Sequence, residues 1–484
     1  MRTFRPSPAP SRHIVLSLLA ATALSACATL PPPSPARVAK APASYATAQS
    51  LGGESLAAPA RDWPADAWWT AYADPQLDTL MQEALAGSPT LAAAQARVGK
   101  AQALARAAHA AELPQVAANG SVEQAKQSYN LGIPPQFVPQ GYNWYGRATL
   151  DFSWELDFWG KNRAAVAAAV SDTRAAQADA AEARLVLSTN VAAAYADLAR
   201  LYAERDVAER ALAVQSETSK LVADRVANGL DTLGEQRQAE ADPLQARADL
   251  GAIDEQIALT RNRLAALAGA GPDRGLSLTR PNVTGLKPLG LPAELAANLV
   301  GRRPDVTAAR WRAEAAASRI HGARAAFYPD INLAAFIGAN ALHLDKVFAS
   351  GSDIGSVGPA ISLPIFEGGR LRAGLKGAEA DRDAAVASYD AAVTEAFRQV
   401  ADVVASSRAL QSQLTDSRAA LAASEDAFRI AKLRYQGGLS TYPAVLLAEQ
   451  AALTRRRTVA DLDARALALD VQLVRALGGG FHAA

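Results

Sequence analysis

The sequence predicts a mainly α-helical, internally duplicated chain that also carries two pairs of β-strands. Three observations point there: alanine is roughly a quarter of the 484 residues, two runs of more than sixty residues lack interior breakers or nearly so, and landmark residues recur at a fixed offset. Half the residues are hydrophobic, yet only 6% are aromatic, so side chains that fill thick cores are scarce. Alanine favours helix and lets helices approach closely. This composition disfavours a Rossmann-type enzyme, a β-sandwich and a disordered tail. Lys and Arg number 49 against 48 Asp and Glu, a net charge of +1 that gives no bulk attraction to nucleic acid. One cysteine allows no internal disulfide, and the five histidines lack metal-ligand spacing, so neither a metal nor a cofactor is expected. No glycine-rich phosphate loop and no GxSxG is present, and an enzyme is not expected. Glu155 and Asp157 fall on strand-like sequence and read as part of a polar strand face rather than an acid/base pair.

The chain opens with Arg2, Arg5 and Arg12 ahead of a short apolar stretch, Ile14 to Leu24. That stretch is too short to span a bilayer and reads as a signal peptide. It ends in Leu24-Ser25-Ala26-Cys27, the pattern of a bacterial lipobox. Residues 1–26 are therefore expected to be removed, leaving Cys27 to carry a diacylglycerol thioether. Ala28 follows where an aspartate would favour inner-membrane retention, so sorting to the outer membrane is expected. The proline-rich stretch that follows is expected to form an extended tether over 27–67.

A duplication organises the rest, with one repeat over 68–280 and a second over 281–484. Ser88-Pro89 matches Arg303-Pro304, and Leu113-Pro114 matches Tyr328-Pro329, both 215 residues apart. Gly160-Lys161 matches Gly369-Arg370, and Gly229-Leu230 matches Gly438-Leu439, both 209 apart. A constant offset means the later elements tolerate no insertion, whereas the stretch that absorbs six residues behaves like surface loops.

Each repeat begins with a helix, at about Thr90–Glu112 and Asp305–Phe327. The longest helices follow Gly160 and Gly369, each roughly 100 Å at about 1.5 Å per residue. Apolar residues recur at heptad-like spacing in both, for example Leu414, Leu421 and Phe428. Each long helix ends at a glycine turn, Asn228-Gly229-Leu230 or Gly437-Gly438-Leu439. Asp231 and Ser440 are expected to cap the return helices, giving hairpins over 161–268 and 370–477. Pro243, whose twin is Ala452, predicts a kink in the first return helix.

Between helices the period falls to two. Tyr142 to Trp154 alternates aromatics, and Ile331–Ile337 and Gly358–Ile365 are strand-like, giving strand pairs at about 115–158 and 330–366. Ten residues is the length of a bilayer-crossing strand. Four strands cannot close a barrel, and lipid tolerates no open edge. The strands are thus either soluble or shared among several chains, and the lipoprotein signal favours sharing.

These blocks resemble the TolC-like outer membrane factors, in particular the NodT-type efflux lipoproteins. The resemblance rests on Trp68-Trp69 through Asp74-Pro75-Gln76-Leu77, on Glu155 through Gly160, and on the run from Leu291-Pro292 through Arg302-Arg303-Pro304-Asp305 to Tyr328-Pro329. It also rests on Ser362 through Arg370 and on Arg434-Tyr435 to Gly438-Leu439. The resemblance implies a homotrimer with a twelve-strand β-barrel, four strands per chain, continuing into a long α-helical coiled-coil barrel in the periplasm. It further implies a passive exit duct served by an inner-membrane pump, of resistance-nodulation-division or major-facilitator type, through a periplasmic adaptor. Adaptor docking would fall on Gly229, Leu230, Gly438 and Leu439. Where relatives carry gate aspartates this chain has Ala444 and Leu447. An apolar constriction at Tyr442, Leu446 or Leu447 is expected instead, with negative charge from Asp231 and Glu235 and tip contacts from Arg434 and Tyr435. Asn340 through Lys346 resembles the branch near fusaric-acid exporters, implying amphipathic organic acids or phenolic drugs as cargo. The competing reading is a structural coiled-coil or adaptor-like periplasmic lipoprotein, which would not need two strand pairs.

Overall fold

The computed structural model describes residues 32, 35–41, 44–46, 50, 63–130, 132–282 and 301–482. The expected signal peptide, Cys27, much of the expected tether and Leu291-Pro292 lie outside the described residues. In chain order the main elements are α1 (Pro75–Gly87), α2 (Pro89–Ala110), β1 (Gln115–Ala125), β2 (Asn143–Glu155), α3 (Lys161–Ala227) and α4 (Leu233–Leu267). The second repeat supplies α5 (Pro304–Ala325), β3 (Asp330–Leu342), β4 (Asp353–Ser362), α6 (Arg370–Gln436) and α7 (Tyr442–Leu477). The duplication is visible in the lengths: α2 and α5 have 22 residues each, and α3 and α6 have 67 each. The return helix α4 continues through Pro243.

The chain divides into two compact units. The first holds the sheet and the helix segments that flank it, residues 99–175 and 310–388. Its four strands are antiparallel in the order β1-β2-β3-β4, so the two repeats meet where β2 pairs with β3. β4 differs from the expected Gly358–Ile365: it starts at Asp353 and stops before Leu363-Pro364. The ladder already passes through Pro359, which an edge strand tolerates, and it ends where Ser362 meets Asp330, the first residue of β3. The turn from β2 into α3 is built by the Glu155–Gly160 block. Trp159 stacks on Tyr328 at 4.6 Å and donates its indole N–H to the carbonyl of Pro329, while Asp157 accepts the backbone N–H of Arg163.

The second unit holds residues 40–98, 176–309 and 389–484. Its largest core joins Trp68, Trp69 and Tyr72 to α1, α3, α4 and α7. Asp74 caps α1 through the N–H of Gln76 and also accepts the hydroxyl of Tyr195 at 2.6 Å, which explains the Asp74-Pro75-Gln76 block. Arg303 is buried, with its guanidinium on Asp305, Gln399 and the carbonyl of Ala476. The two repeats share one tight contact. Gly269, at φ 72°, and Gly478, at φ 90°, follow their return helices and press on the backbone just before α2 and α5. A Cβ there would lie 2.3 Å from the carbonyl oxygen of Gly87 and 2.0 Å from that of Arg302. Only glycine meets both the left-handed φ and the close approach.

Candidate functional site

Two regions can carry function: the faces of the sheet and the ends of the helical hairpins. Side chains alternate across a strand, and the register fixes which residues share a face. On one face lie Val116 and Val122 of β1, Trp144, Leu150 and Trp154 of β2, Ile337 of β3, and Val357 and Ile361 of β4. All are exposed large apolar residues. The opposite face is polar. There Asn119 donates to Asp151 at 2.7 Å, Thr149 donates to the same carboxylate at 2.9 Å, and Arg147 sits over the ring of Phe336 at 5.3 Å. Trp144 and Trp154 bound the apolar face ten residues apart. At about 3.3 Å per residue and the strand tilt of a barrel, the band between them is about 25 Å tall, the height of a membrane-spanning belt with aromatic girdles.

The hairpin ends form the second region. Both long helices close in the same way. Leu230 N–H bonds Arg225 carbonyl and Gly229 N–H bonds Val226 carbonyl; Leu439 and Gly438 repeat this on Arg434 and Tyr435. Gly229 and Gly438 both have φ 71°, so these are the left-handed helix stops that the sequence indicates. The expected caps are displaced by one residue. Helix α4 begins at Leu233, so Thr232 caps it, in a reciprocal box with Glu235. Thr441, not Ser440, precedes α7, and it makes no side-chain cap bond.

Asp231, released from capping, ties the two hairpins together. Its carboxylate takes the Arg225 guanidinium at 2.9 Å and the hydroxyl of Tyr435. Arg225 also donates to the Tyr435 carbonyl at 2.9 Å and lies over its ring at 4.4 Å. Burial opposes the charge on Asp231, but the bonds from Arg225 and Tyr435 outweigh it and hold the carboxyl below its usual range. Burial, and then the facing Asp231, raise the Tyr435 phenol above its ordinary value.

Behind this tie, Val222, Ala239, Tyr435, Tyr442 and Val445 form a small core, with Leu446 packed against it. Tyr442 is therefore turned into the protomer, donating to Asp242 at 3.1 Å. Leu447 is exposed, as are Leu230 and Leu439. Arg434 is exposed too. Glu235 is engaged in its capping box. Sequence reasoning did not find Arg225, Thr218, Asp242 or Glu449. Thr218 donates to Glu449 at 3.1 Å, and Glu449 is only 2% exposed. A signal existed: Tyr442, Val445, Glu449 and Ala452 recur at heptad spacing and are all buried, so a carboxylate occupies a core position.

The profile of the outer membrane efflux protein family matches residues 80–270 and 295–479. The chain belongs to the outer membrane efflux protein family. It is 40% identical over 383 residues to the fusaric acid resistance protein FusA of Burkholderia cepacia, covering 77% of this chain and 71% of that protein. It is 35% identical over 433 residues to the multidrug resistance outer membrane protein MdtP of Shigella flexneri, covering 87% and 88%. Its fold matches the crystal structure of the outer membrane protein VceC of Vibrio cholerae with a TM-score of 0.83 and 47% identity, covering 87% of this chain and all of that one. This efflux channel therefore resides in the outer membrane. The coiled-coil or adaptor-like alternative is not favoured.

Proposed function

We propose that three copies of this chain form one exit duct that conducts drugs or small organic acids across the outer membrane without chemical change. The observation that carries this reading is a four-stranded sheet with one exposed apolar face and two unpaired edges, β1 and β4. A lipid-facing sheet must satisfy every backbone group, and pairing β1 of one copy with β4 of the next closes twelve strands. Energy comes from an inner-membrane pump, and a periplasmic adaptor docks on Leu230 and Leu439 beside Gly229 and Gly438. The names of FusA and MdtP support organic acids and drugs as cargo.

The ties among Arg225, Asp231 and Tyr435, and between Asp242 and Tyr442, hold the hairpin ends in the resting state. Of the apolar gate candidates, Leu447 is the one free to narrow a lumen, with Leu446 beneath it. Cys27 anchors the chain to the inner leaflet. The Arg37 N–H bonds Asp383, thirteen residues into α6, at 3.1 Å. Ten extended residues reach about 35 Å, enough to return from Arg37 past the roughly 20 Å of helix to the start of α6.

The test is accumulation of a fluorescent drug and of fusaric acid in cells lacking the gene. Accumulation that rises and is restored by the wild-type chain but not by a Gly229→Asp, Gly438→Asp double variant supports duct and docking. Unchanged accumulation of both compounds contradicts the reading.

A further inference from the structure

The loop between β3 and β4 does not extend away from the sheet. His343 takes φ 71° and ψ 130°, a conformation that side chains rarely adopt, and its N–H bonds the carbonyl of Trp144 at 2.7 Å. The chain then folds back over β2. The Val347 side chain is buried against Gly146, where an added Cβ would lie 2.4 Å from its methyl group, and Leu344 flanks the same spot. By register Gly146 shares the face of Trp144 and Leu150, the bilayer-facing one. The loop therefore lies on the outside of the sheet, at the end remote from the flanking helices. It leans over an interior strand rather than over β1 or β4, so a neighbouring copy paired at those edges would not cover it. Yet Phe348 is 87% exposed, and Leu344 is also exposed, with Lys346 beside them.

We propose that this loop is an interfacial anchor that seats Phe348 and Leu344 in the outer leaflet and sets Lys346 against anionic headgroups. An apolar side chain next to a cation, continuous with a tryptophan girdle, fits the boundary between acyl chains and headgroups. Lysine suits the rim because its stem lies along apolar surface while its ammonium stays in the polar layer. The proposal rests on the barrel reading above, and the test separates the two.

Phe348→Cys, Val357→Cys and Gln127→Cys proteins are each labelled with an environment-sensitive fluorophore. They are reconstituted in phosphatidylethanolamine/phosphatidylglycerol vesicles with or without lipid bearing a nitroxide near the headgroup. The unsubstituted protein, carried through the same labelling, sets the Cys27 background. The expected result is blue-shifted emission at 348, quenched several-fold more by the nitroxide lipid than by aqueous iodide, with the reverse at 127. Adding Gly146→Ala, which pushes on Val347, should return the 348 label toward the aqueous pattern. A 348 label that behaves like 127 while 357 reports lipid overturns the anchor alone. A 357 label that also behaves like 127 overturns the barrel reading with it. A 348 label unmoved by Gly146→Ala overturns the seating of the loop on β2.

Discussion

Replacing Glu449 by glutamine should remove a pH dependence from the hairpin ends. Glu449 sits where four helices converge. Thr218 of α3 donates to it, Asp242 of α4 and Tyr442 of α7 add negative or polar neighbours, and Lys432 of α6 is the nearby cation, itself paired with Glu217 at 2.9 Å. Burial, with a smaller contribution from Asp242, pushes its carboxyl up to about 7 from 4.5, against the opposing effects of Thr218 and Lys432. The folded state thus prefers the neutral acid. The stability this supplies is complete below the unfolded value and is lost as pH rises through about 7. The shift corresponds to about 3 kcal/mol, or a factor of about two hundred in local opening over the whole titration. The assay is hydrogen exchange of peptides spanning 214–226 and 440–452, corrected for the intrinsic rate at each pH. Protection in the wild-type channel should fall by up to about a hundredfold between pH 5 and pH 8.5, and in Glu449→Gln it should stay flat. An equal fall in the variant, or a flat wild type, would refute the reasoning.

Other predictions follow from the same geometry. Asp231→Asn leaves Arg225 and Tyr435 facing each other without their shared carboxylate, which should cost about 3 kcal/mol at the hairpin ends. Cells carrying it should become more sensitive to large antibiotics that the outer membrane normally excludes. Because the folded Asp231 carboxyl lies below 3.8, the stability it supplies is present above that value and lost only in stronger acid. With Glu449, whose contribution is complete only below 4.5 and then declines to nothing above about 7, this places maximal tip protection near pH 4 to 4.5. Gly229 and Gly269 both have positive φ, but a Cβ at Gly229 meets open space. Gly229→Ala should cost about 1 kcal/mol, whereas Gly269→Ala should sharply reduce the yield of folded protein from membranes. Val357→Arg on the bilayer face should destabilise the barrel by about 2–4 kcal/mol on refolding into lipid, and Ser356→Arg on the opposite face should change it little.

Much of this fold was legible because the sequence repeats itself and because few residues interrupt its long helices. Gly160 and Gly369 start α3 and α6, and Gly229 and Gly438 follow their ends, so four glycines delimit two helices of 67 residues each. The strand β2 was legible from its alternating aromatics. β4 was not, since Asp353–Ser362 is rich in glycine and serine and has few large residues to mark a face. Its pairing with β3 sets its limits. The caps were misplaced by one residue because Asp231 and Thr232 are both competent N-caps, and a tertiary partner, Arg225, claims the aspartate. The tie at the hairpin ends joins residues 200 or more apart, such as Tyr442 with Asp242 and Tyr435 with Asp231, and no local pattern encodes those contacts. Glu449 was the exception, a charge on an apolar stripe.

The most direct test of the account is the protein mass of the complex extracted from the outer membrane, measured by light scattering corrected for detergent. Three chains, about 150 kDa at 50.5 kDa for the full sequence, would agree with twelve strands closed through β1 and β4. A single chain in that fraction would leave both edges unpaired in lipid and contradict the shared barrel.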